Sequence, residues 1–198
     1  MNNTWSKRPT LHISWAVEDE KKEWRALVPV TANSLPSKAL SPHVCKAFSP
    51  NKLSMSRPTN TISVGNRLRL ELQSDIDGYL TIFDFMTSGR FAKLFPCPKL
   101  STVDNHIEGG KNYAAPGELL PIPAFRVSGP TTAESGRLER LLVIVTRNPV
   151  NLSESAILNA GTAFATRGGI GSVEESVASL LDLPEEEWSY GLLETEIV

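Results

Sequence analysis

Cysteine is nearly absent. Only Cys45 and Cys97 occur in 198 residues, too few for the disulfide framework that staples small secreted domains. Both read as free thiols. Histidine is just as scarce, with three copies, which leaves little material for metal or catalytic clusters. His43, Cys45, Cys97 and His106 are ligand types that zinc accepts. Yet a His-x-Cys pair followed by a distant Cys97 matches no familiar zinc spacing. A Cys97/His106 nucleophile–base pair has suitable residue types but no motif around it. Neither a metal nor a cofactor is expected, and no enzyme activity. Excess charge is missing too: the formal net charge is −2, too small to draw nucleic acid or an anionic membrane. No run of about 18 apolar residues offers a membrane-spanning helix. Residues 1–9 have no apolar core of signal-peptide type. The expected location is the cytoplasm, with neither nucleic acid nor membrane as partner.

What the chain does have is period-two patterning. Leu11, Ile13, Trp15 and Val17 alternate with His12, Ser14 and Ala16, which predicts a half-buried strand. Residues 18–23 form a solvated turn, and 24–30 a second strand closing an N-terminal hairpin. Pro36, Pro42, Pro50 and Pro58, among Ser and Asn, make 31–60 a long irregular loop of the kind that is usually functional or mobile. Residues 67–72 alternate Arg or Glu with Leu, a strand with one buried face. Asp75-Ile76-Asp77-Gly78 reads as a turn in which Gly78 supplies a positive φ. Residues 79–85 are apolar on both faces, as in a central strand. Thr87-Ser88-Gly89 turns the chain into a strand at 90–95, ended by Pro96 and Pro98. Short connections predict that these three strands are antiparallel neighbours in a meander.

Residues 100–117 read as loop, with a short strand at Asn105-His106-Ile107. Pro121 and Pro123 confine 118–127 to a sheet edge. Residues 138–147 read as the most clearly buried strand of the chain. A short helix is expected over 153–159. Ser172-Val173-Glu174-Glu175 has capping-box spacing, and Val173, Val177, Leu180 and Leu181 give one apolar helix face ended by Pro184. Residues 188–198 would return to the sheet. The predicted fold is a single mostly β domain over 1–198. It is a two-sheet antiparallel β-sandwich, Ig-like or jelly-roll-like, with a short C-terminal α-helix.

Six pieces stand in order: Gly78-Tyr79-Leu80, Gly89, Leu94-Phe95-Pro96, Asn105-His106-Ile107 with Gly109, Leu120-Pro121-Ile122-Pro123, and the strand from Leu141 to Thr146. Together they make residues 65–149 resemble an uncharacterised bacterial family, domain of unknown function 4384. Cys97 departs from the polar residue, often Asn, that commonly follows Leu-Phe-Pro there. The resemblance implies a module of the sort fused to caspase-like peptidases or protein kinases, with no catalytic residues to carry over. For a separate chain it implies a separately encoded peptidase, kinase or ATPase as partner.

Two readings of function follow. The first is a non-catalytic protein-interaction or accessory module of a bacterial peptidase, kinase, or defence or signalling system. The second is a small-ligand sensor binding through loops 98–117 and 128–136. Candidate binding residues are weighed against plainer roles. Leu94-Phe95-Pro96 fills a core edge, or Phe95 and Pro96 form an exposed docking rim. Asp104, Asn105 and His106 bond a turn, or form a polar site with Asp77, Tyr79 and Arg126. The glycines of 167–171 precede the capped helix but lack the lysine of a phosphate loop, and read as a flexible loop. Glu185-Glu186-Glu187 reads as a solvated turn, or else Trp188 and Tyr190 beside it anchor an interface.

Overall fold

The alternating stretches are strands in the computed structural model, which describes residues 9–27, 30–32, 60–85, 91–96, 103–120, 124–127, 138–150, 180 and 183–198. Twelve strands are present among these residues: β1 (Leu11–Glu18), β2 (Trp24–Ala26), β3 (Val30–Ala32), β4 (Asn60–Ile62), β5 (Arg67–Ser74) and β6 (Gly78–Phe85), then β7 (Phe91–Phe95), β8 (His106–Ile107), β9 (Asn112–Ala115), β10 (Phe125–Arg126), β11 (Leu138–Thr146) and β12 (Trp188–Ile197).

They form two sheets. Sheet A runs β10-β5-β1-β2, with β3 also on β1 and β9 also on β5. Sheet B runs β4-β12-β11-β6-β7, with β8 also on β6. One apolar core joins them. Leu11, Ile13, Trp15, Leu68, Leu70 and Leu72 of sheet A pack in the same cluster as Leu80, Ile82, Leu141, Val143, Val145, Leu193 and Ile197 of sheet B. β1, β5, β6, β11 and β12 each contribute every second residue, because successive side chains point to opposite faces. The arrangement is sandwich-like. The indole Nε1 of Trp15 donates to Thr195 Oγ1 at 2.9 Å, a buried bond tying β1 to β12.

Sheet B is also covered on its outer face. Phe83, Leu142, Ile144, Leu180 and Trp188 are buried together there, with Val150, Leu183, Tyr190 and Leu192 packed against them. This second layer explains why β6 and β11 are apolar at consecutive positions, whereas β5 buries only alternate ones.

Several expectations need correction. The three-strand meander is broken: β6 and β7 are antiparallel neighbours, but β5 pairs with β1 and β9, in the other sheet. The corner after β5 is bonded to segments beyond β5 as well. Thr10 N donates to Asp75 Oδ1 at 2.7 Å, Asp75 N to Thr10 O at 3.1 Å, and Gly109 N to Asp77 Oδ1 at 2.7 Å. These bonds hold the chain as it crosses from one sheet to the other. Nor is the sheet purely antiparallel, since β4 runs parallel to β12, from Thr195↔Asn60 to Ile197↔Ile62. Gly78 has no positive φ; Gly65, Gly110 and Gly117 do. Gly78 is required for space, because a Cβ there would lie 2.5 Å from the carbonyl oxygen of Thr146 on β11.

The predicted loop at 100–117 contains a second strand, β9, besides β8. The predicted strand at 24–30 is two short strands, broken where Leu27 N turns back to Trp15 O at 2.6 Å. Residues 188–197 do return to the sheet, beside β11 along its whole length. The loop predicted over 31–60 has strand at both ends, in β3 and β4; its residues 33–59, the helix at 153–159, nearly all of the capped helix, Cys45 and Cys97 lie outside the described residues.

Candidate functional site

Chemistry-bearing side chains collect at the start of β6, where β8 pairs with it through Gly78↔Ile107 and Tyr79↔His106. Opposite positions on paired strands share a face, so Tyr79 and His106 stand together. Their rings meet edge-on, with centroids 5.2 Å apart. His106 is exposed and Tyr79 half-buried.

The neighbouring polar side chains serve the backbone. Asn105 Nδ2 donates to Leu80 O at 3.2 Å, while Leu80 N donates to Asn105 O at 2.8 Å. Asp104 Oδ1 accepts from His106 N at 3.3 Å, an Asx-type turn. Asp77 Oδ1 caps the turn between β8 and β9 through Gly109 N, and Tyr113 Oη accepts from Glu108 N at 2.8 Å. The corner is a rigid shelf carrying one exposed imidazole and one phenol ring.

Of the residues grouped from the sequence as a polar site, the fold brings Asp77, Tyr79, Asp104, Asn105 and His106 to this corner. It did not place the others. Arg126 is on β10, opposite Arg67 at the edge of sheet A, away from the shelf. Phe95 is 0 % exposed and belongs to the central core, so Leu94-Phe95-Pro96 offers no aromatic docking rim. Trp188 is also 0 % exposed, stacked on Tyr190 with centroids 5.7 Å apart, and fills the outer layer of sheet B. Its ring is core material, not an interface anchor. The three glutamates before it form a 3-10 turn with no buried residue, as a solvated turn would.

One pair of groups was missed. Asp84 lies on β6 in register with Leu141, and so points inward with Leu80 and Ile82. It is 8 % exposed, and its Oδ1 has no hydrogen-bond partner among the described residues. Glu139 precedes Leu141 by two residues on β11, which makes it the diagonal cross-strand neighbour of Asp84 on the same face. Burial, and then the nearby Glu139 carboxylate, push the Asp84 carboxyl well above its ordinary range. Burial raises Glu139 as well. The available signal was an aspartate inside the run Ile82-Phe83-Asp84-Phe85.

Among the described residues, no group of three or more His, Cys, Asp or Glu is placed to hold a metal. No described helix is long and apolar enough to cross a membrane.

No curated protein and no solved structure matches the chain. A family model does match, and it spans β5 to β11 while leaving β1, β2, β3 and β12 outside. The matching model is that of the family described as domain of unknown function (DUF4384), and the match covers residues 61–149.

Proposed function

We propose that this protein is a non-catalytic interaction module, an accessory to a separately encoded bacterial peptidase, kinase or ATPase in a defence or signalling system. The observation that carries this reading is the Tyr79–His106 shelf. Two rings that can bond and stack stand at the surface on a backbone already fixed by Asp77, Asp104 and Asn105. A partner docking there orders little that is not already ordered, which is what makes a preorganised surface bind well. Tyrosine is also among the side chains that dominate interface energies.

The test is capture of the tagged protein from its native host, with quantification of whatever is retained. One peptidase, kinase or ATPase is expected in stoichiometric amount, at least tenfold less with Tyr79→Ala/His106→Ala. A host in which nothing is retained, or a partner kept equally by the variant, would overturn the reading. Both residues are at least partly exposed, so the variant is expected to stay folded.

The small-ligand sensor has narrower support. Residues 103–117 are occupied by β8, β9 and the turn joining them, and the side chains of Asp104, Asn105 and Tyr113 are spent on backbone. Residues 128–136 lie outside the described residues. A thermal-shift screen with sugars, nucleotides and peptides would favour the sensor if one class raised the melting temperature, since binding to the native state stabilises it by mass action.

A further inference from the structure

Four polar groups cross the otherwise apolar space between the sheets. Trp15 of β1 donates to Thr195 of β12. Thr195 stands directly opposite Glu139 of β11. Glu139 is the diagonal neighbour of Asp84 on β6, whose own direct partner is Leu141. All four lie on the inward face, since Leu80, Ile82, Leu141, Val143 and Leu193 share their parity.

No described cation is set against the two carboxyls. Arg140 is turned to the outer face, where its Nε bonds Glu194 Oε1 at 3.0 Å. Lys93 stands opposite Phe83, also on the outer side. Glu196 is opposite Leu138 on that side too. In sheet A, Arg67 bonds Glu18 and Arg69 bonds Glu71, facing away from sheet B. Arg25, opposite Val17, is exposed to solvent.

A buried carboxylate without a cation is costly, and two side by side more so. The inexpensive state keeps a proton on the pair, which also turns one oxygen into a donor. We infer that Asp84 and Glu139 hold a proton between them in the folded chain, and that its loss loosens the seam between the sheets at Trp15 and Thr195, a pH-sensitive clasp built into the fold.

The sign follows from linkage. An aspartate ordinarily ionises near about pH 3.9, and the unfolded chain does so. The folded chain keeps its proton to higher pH. Between those limits the native state binds more protons, so this pair's contribution to stability is fully present at low pH and declines as pH rises. Exposed carboxylates that pair with arginine act in the opposite sense, so the informative quantity is a ratio between variant and wild type.

The folding constant of Asp84→Asn relative to wild type, from denaturant titrations between pH 4 and pH 8, is expected to rise with pH. For one proton its slope approaches about tenfold per pH unit. The exchange rate of the Trp15 indole proton in wild type, divided by that in the variant, is expected to rise in parallel. A stability ratio that is flat across this range would overturn the proposal. A measurement on the wild type alone covers a variant that does not fold. Carbon-13 titration of the Asp84 carboxyl should find it still protonated above the ordinary aspartate range, about pH 3.9. Titration of Asp84 within that ordinary range would equally overturn it.

Discussion

Phe83→Ala is expected to lower the free energy of unfolding by about 3–5 kcal/mol, the usual cost of deleting a buried aromatic ring. Phe83 is fully buried, but not between the sheets. It sits in the outer layer of sheet B with Leu142, Ile144, Leu180 and Trp188. The variant thus tests whether that layer is a true second core. Domain stabilities are about 5–15 kcal/mol in total, so a loss of this size brings the protein near its folding threshold. Denaturant titration measures it directly. A loss under about 1 kcal/mol would mean that the outer layer opens easily and adds little.

Gly78→Ala is expected to cost about 1–3 kcal/mol, the usual range for overpacking. The added methyl would lie 2.5 Å from Thr146 O and 3.1 Å from Val145 Cγ1. Both atoms belong to the central strand β11, which is held on either side by β6 and β12 and has little freedom to retreat. The strain is steric and not conformational, and a paired substitution separates the two causes. Gly65 has φ +88° with nothing within 4 Å of a built Cβ. Asparagine, which adopts the left-handed region with little penalty, should be accepted at Gly65 and rejected at Gly78. If both positions accept asparagine equally, the close approach of β6 to β11 is not what fixes this glycine.

Much of the strand content was legible because burial imposes its own rhythm. Leu11, Ile13 and Trp15 alternate, and so do Leu68, Leu70 and Leu72, because β1 and β5 have one buried face each. The apolar run of β6, with both faces apolar, marked a central strand. Partnership was not legible. Nothing in Asp75-Ile76-Asp77-Gly78 says whether the next strand folds back on β5 or crosses to another sheet; that depends on Thr10 and Gly109, both distant in sequence. β9 escaped notice because Asn112-Tyr113-Ala114-Ala115 has a single strong strand former, and its stability comes from pairing with β5.

The site was half legible for a related reason. Asp104-Asn105-His106 announces a turn by its side chains, and Tyr79 joins it through strand register. Trp188 misled because its acidic neighbours are exposed while its own ring turns inward. Asp84 is the opposite case. A charge in an apolar strand breaks the pattern, and only the fold shows that Glu139 is beside it.

The last strand also governs how the protein can be made. When a ribosome has delivered the chain as far as Asn148, β11 has β6 on one side and nothing on the other, because β12 is still to come. A strand edge whose middle, Leu141 to Val145, is apolar is then open to any strand that meets it, including the same strand of another nascent chain. β4 waits as well, since its place in sheet B is beside β12. A fragment cut to residues 61–149 would keep that open edge permanently, and the unit to express is one that carries residues 188–197.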